Sequence, residues 1–89
     1  MNENRVDGII LLSDQPTVAT FDELHHWVMW QLPRKVQGGL AGAVRPTLSG
    51  HEWYAAIIYL DRQEVSIMAH EGLFDSPETA VSHLMTTKE

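Results

Sequence analysis

The stretch from residue 51 to 71, HEWYAAIIYLDRQEVSIMAHE, constrains the fold of this chain more than any other. Two runs rich in β-branched and aromatic side chains flank the polar residues 61–64, the pattern of two strands joined by a short turn. A hairpin of strands 53–60 and 64–71 is predicted, with Arg62-Gln63 at its tip. That register sets Leu60 opposite Val65, Ile58 opposite Ile67, Ala56 opposite Ala69 and Tyr54 opposite Glu71. Side chains alternate along a strand, so these residues share one face, while Trp53, Ala55, Ile57, Tyr59, Ser66, Met68 and His70 share the other. The first face is nearly all apolar and is expected to meet the core. The second is mixed, yet too apolar to lie wholly in water. Arg-Gln lacks the Gly or Asn of tight hairpin turns, and a slip by one residue would exchange the two faces.

Such a sheet needs cover, and two segments read as helices. Thr20-Phe21-Asp22-Glu23 has the form of a capping box, in which the Thr hydroxyl and the Glu carboxylate satisfy free backbone donors of a helix start. A helix over 20–32 follows, ended by Pro33. At about 100° per residue, Phe21, Leu24, Val28 and Leu32 form its core stripe, and Trp30 points almost directly away, beside Glu23 and His26. The second helix, 77–86, opens on Ser76-Pro77-Glu78: Ser caps, Pro fits the first position, and Glu favours the dipole. Val81, Leu84, Ala80 and Met85 make its apolar face. The run GIILLS at 8–13 reads as a short strand at an edge. Residues 34–50 hold four of the six glycines and three of the six basic side chains, and read as a long loop or a weak edge strand over 40–47. The expected fold is α+β: a small two- to three-stranded antiparallel sheet built on the central hairpin, with helices 20–32 and 77–86 on one face.

The 89 residues suit a single domain, 1–89, with a weakly ordered start at 1–6 and a fraying tail at 87–89. Folding at this size hides only about 60–65% of the chain's surface, so stability is slim and a second copy would add to it. The absence of cysteine removes disulfides, thiolate nucleophiles and thiolate zinc sites, and points to a reducing, cytoplasmic setting. No apolar run approaches membrane-helix length, so no membrane partner is expected. Twelve acids against six bases give a formal charge of −6, which opposes a non-specific hold on nucleic acid.

Chemistry-bearing patterns are sparse. Neither His51-Glu52 nor His70-Glu71 continues into HExxH, and the predicted register separates His51 from His70 by roughly 13 Å. No metal and no cofactor are expected. No nucleophile elbow or other hydrolytic signature is present, and no catalytic residue is assigned. Gly39-Leu40-Ala41-Gly42 matches the GXXG of the KH module, and the order strand, helix, GXXG, two strands, helix resembles that RNA-binding fold. A KH loop carries polar or basic middle residues and leads into a helix, whereas Leu40, Ala41 and Pro46 stand here. With 37–47 counted as a strand, the order helix, three strands, helix resembles the double-stranded-RNA-binding domain. Asp75 and Glu78 stand where that domain has lysines. Nucleic-acid binding through Arg34, Lys35, Arg45 and the glycine-rich segment is therefore the second expectation, and a small-ligand binder or small hydrolase the third. The first is a non-enzymatic protein-interaction module acting as a homodimer or with another protein. Trp and Tyr dominate protein interfaces, and the surface expected to carry it comprises Trp30, His26, Trp27, Trp53, Ile57, Tyr59 and Met68.

Overall fold

The computed structural model describes residues 3–6, 8–12, 14–47 and 51–86. Along them run β1 (Glu3–Val6), β2 (Ile9–Leu12), β3 (Thr17–Thr20), β4 (Trp27–Val36), β5 (Gly39–Pro46), β6 (Trp53–Tyr59) and β7 (Glu64–Ile67). A 3-10 helix (Ala69–Glu71), β8 (Leu73–Phe74) and α1 (Pro77–Thr86) follow. Six strands form one antiparallel sheet in the order β3-β7-β6-β5-β4, with β8 pairing the start of β6, while β1 and β2 form a separate hairpin. The expected α+β fold, two helices over two or three strands, is thus replaced by a sheet-dominated architecture with one α-helix among the described residues.

The β6–β7 hairpin is present, in a shifted register. Tyr59 pairs Glu64, Ile58 pairs Val65 and Ala56 pairs Ile67, closed by a four-residue turn at 60–63 in place of a two-residue tip. Gln63 takes the left-handed conformation there, at φ 54°. The slip from the expected register is two residues, and a two-residue slip leaves every side chain on its face. Tyr54, Ala56, Ile58, Val65 and Ile67 accordingly share one core with Ile9, Leu11, Ala19, Leu24, Trp27 and Val44. The β1–β2 hairpin covers this side. Glu3–Val6, expected as part of a loose start, pair with β2 as β1, and the predicted strand 8–13 is β2, placed over the main sheet and not at its edge. The predicted tail 87–89 lies outside the described residues.

The predicted helix 20–32 does not form. Its capping box does: the Thr20 N–H donates to Glu23 Oε1 at 2.8 Å and the Glu23 N–H to Thr20 Oγ1 at 3.2 Å. One turn follows, with the Leu24 N–H bonded to the Thr20 carbonyl at 3.2 Å and the Trp27 N–H to the Leu24 carbonyl at 2.9 Å. Trp27 then enters β4. Leu24, Val28 and Leu32 fit a helical period, but Trp27 and Met29 alternating with Val28 and Trp30 fit a strand equally well. Pairing with β5 decides between them, since a short isolated helix is marginal in water. Pro33 stands within β4 at a bulge: between Gln31 and Lys35 the register against β5 shifts, and proline is tolerated at bulges and edges.

The segment expected as a loop or weak edge is β5, an interior strand of the sheet flanked by β4 and β6. A Cβ at Gly42 would lie 2.5 Å from the Trp30 carbonyl oxygen, so the alanine- and glycine-rich composition reflects close approach of the neighbouring strands. Gln37 at φ 50° and Gly38 at φ 87° make the two-residue turn between β4 and β5. α1 forms as predicted, its Ser76 Oγ accepting the Thr79 N–H at 3.1 Å. It lies on the second face, where Ala80 packs with Ala43 and Ala55 and is flanked by Trp53, Met68, Phe74 and Leu84. The face expected to be left open is therefore covered by α1.

Candidate interaction edge

β4 is the longest strand and an outermost one; its outer side pairs with no strand among the described residues. Its two halves differ in chemistry. Over 27–31 the ladder to β5 is regular: Trp27 pairs Pro46, Val28 pairs Arg45, Met29 pairs Val44, Trp30 pairs Ala43 and Gln31 pairs Gly42. No side chain from 27 to 32 is charged, and Val28, Met29, Trp30 and Leu32 are half-buried. Trp27 and Met29 turn into the core beneath β1–β2, leaving Val28 and Trp30 on the α1 side. From 33 to 35 the strand carries the bulge, Pro33, Arg34 and Lys35, the devices by which proteins protect an exposed edge. The first half carries none of them.

Just upstream, Asp22 and Glu23 are exposed on the capped turn. The His25 and His26 rings lie against each other, tilted by 43° with centroids 3.9 Å apart, and the His26 carbonyl accepts both the N–H and the hydroxyl of Thr47. This anchors the turn to the end of β5 and fixes where β4 begins.

The structure gathers His26, Trp27 and Trp30 on this turn and strand and distributes the other predicted interface residues. Trp27 is buried, its ring 6.2 Å from Tyr54, and its Nε1 has no hydrogen-bond partner among the described residues. Trp30, expected to point outward from a helix, is half-buried on the α1 side of β4. Trp53 shares that side, with the Arg45 guanidinium 5.2 Å from its ring. Tyr59 is half-buried under the Arg62 guanidinium at 4.3 Å, Met68 is half-buried, and Ile57 is fully buried within the chain. Of the basic residues, Arg34 and Lys35 are exposed neighbours on β4, whereas Arg45 is held over Trp53 on the α1 face. The three do not converge on one patch.

One cluster was not legible beforehand. The Glu71 carboxylate meets His83 Nε2 at 2.7 Å and His70 Nε2 at 3.2 Å, joining the 3-10 helix to α1. The hydrogen bond from His83 holds the Glu71 carboxyl below its ordinary value; partial burial opposes this, and the nearby His70 charge assists it. Beside it lies a cavity of about 230 Å³ lined by Pro16, Gln37, Met68, Leu84 and the three titratable side chains. Among these described lining residues there is no hydroxyl, thiol or amine to serve as a nucleophile. No group of three or more His, Cys, Asp or Glu among the described residues is arranged to hold a metal ion. No helix among them is long and apolar enough to cross a membrane.

No protein-family model, curated protein or solved structure matches this chain.

Proposed function

We propose that this chain is a non-enzymatic protein-interaction module that acts as a homo-oligomer, taking a partner strand along the outer edge of β4. One observation carries the reading: the first half of β4 is a regular, uncharged, half-apolar edge, while its second half bears proline, two cations and a bulge. An unpaired strand edge offers a row of backbone donors and acceptors ready to bond another chain. A protein with no use for that edge would gain by protecting all of it. Val28 and Trp30 supply apolar contact beside the backbone pairing, and Trp is enriched at interface centres. Trp53 extends the same side of the sheet inward from the edge.

Sedimentation velocity on the wild type and on Val28→Lys tests it. A lysine on an edge strand opposes strand addition, and because residue 28 pairs Arg45 across the ladder, circular dichroism on the variant checks that it stays folded. The wild type is expected to sediment as an oligomer at micromolar concentration and Val28→Lys as a folded monomer. An oligomer undisturbed by Val28→Lys would remove β4 from the account.

A further inference from the structure

Resting on that reading, we propose that the strand added at β4 is β4 of a second copy, running antiparallel across a twofold axis near Met29, so that each copy's acidic turn meets the other's basic strand end. The argument begins with charge. Exposed Asp22 and Glu23 stand immediately before the edge, and exposed Arg34 and Lys35 close it. A parallel pairing in register would bring acid to acid at one end and base to base at the other. An antiparallel pairing brings acid to base at both ends, and self-complementarity of one patch is what a twofold interface requires.

The register follows from the ladder. The regular part of β4 against β5 is 27–31, whose midpoint is Met29. An axis there pairs this segment wholly with itself: Trp27 with Gln31, Val28 with Trp30, and Met29 with its symmetry mate. Beyond that ladder, the turn that carries Asp22 and Glu23 in one copy comes to the end of β4 that carries Arg34 and Lys35 in the other. The bulge between Gln31 and Lys35 falls outside the paired segment, so it ends the intermolecular ladder without interrupting it. On the α1 side, Val28 of each copy meets Trp30 of the other, an aromatic–aliphatic cross-strand pair. Each chain carries a formal charge of −6, so assembly works against net repulsion, and the local acid–base contacts oppose that repulsion where the chains touch.

The test exchanges the charges. One variant combines Asp22→Lys with Glu23→Gln, the glutamine keeping the capping-box hydrogen bond. The other combines Arg34→Glu with Lys35→Glu. Each alone places like charges together at both ends and is expected to dimerise at least about tenfold more weakly than the wild type. Mixed in equal amounts, the two make a heterodimer with opposite charges restored at both ends. Its dissociation constant is expected to return to within about threefold of the wild-type value. Recovery on mixing also establishes that both variants fold. A monomeric wild type, charge variants that dimerise like the wild type, or a mixture no tighter than its components would each overturn the antiparallel dimer. If the charge variants are without effect while Val28→Lys abolishes assembly, the β4 edge stands and this arrangement falls. If Val28→Lys is also without effect, both fall.

Discussion

Gly42 sits between two neighbouring strands, opposite Gln31 on β4 and Ala56 on β6. A Cβ there would lie 2.5 Å from the Trp30 carbonyl oxygen and 2.7 Å from Ile58 Cδ1. The isoleucine tip can turn aside, but the carbonyl belongs to the backbone of β4, so the strands themselves must separate. Gly42→Ala is expected to destabilise the fold by about 1–3 kcal/mol, the range for overpacking a core, as read from urea denaturation. Its displacement would fall on β4, so it should also weaken assembly. Such a glycine is invisible as a strand residue in isolation. Gly39-Leu40-Ala41-Gly42 has low strand propensity, and only the neighbouring backbones explain why larger side chains are absent. The Gln37-Gly38 turn was equally hidden, because Gln-Gly is not a strong hairpin signal and the strand that follows it read as a loop or a weak edge strand.

Among the elements, α1 was legible because its signals are local: Ser76 caps, Pro77 follows, and the apolar period needs no partner to be recognised. The β6–β7 hairpin was legible for the same reason, and its faces survived an error in register because that error was an even number of residues. β4 was not legible. Its capping box is real and its spacing fits a helix, but the ladder with β5 that overrides both lies in residues 39–46, which read as a loop or a weak edge strand. The Glu71 cluster was hidden similarly, because His83 reaches it only through the packing of α1. Glu71 yields a prediction at this scale. Its carboxyl is held below the ordinary value of 4.5, so its stabilising effect is complete above that value and lost as pH falls below it through the lowered folded value. Glu71→Gln should therefore unfold at lower urea than the wild type at neutral pH, and the gap between the two midpoints should close on acidification below the ordinary carboxylate range. A gap that widens in acid would reverse the sign assigned to this contact.

At the scale of the molecule, the described chain has a Cα radius of gyration of 11.7 Å, against about 12 Å expected for a domain of this length. It builds its own core on both faces of the sheet, under β1–β2 on one side and α1 on the other. On the proposed reading, assembly is an addition to a folded unit, made at the β4 edge and not at a sheet face. This moves the expected interface away from Ile57, which is fully buried, and toward Val28 and Trp30. Amide hydrogen exchange at two protein concentrations tests the central claim most directly, because it reads backbone pairing residue by residue. Where dimer predominates, alternate amides within 27–31, those directed away from β5, are expected to gain protection that is lost on dilution, with the interior strands unchanged. Protection along β4 that is indifferent to concentration, or that rises with concentration on another element instead, would contradict strand addition at this edge.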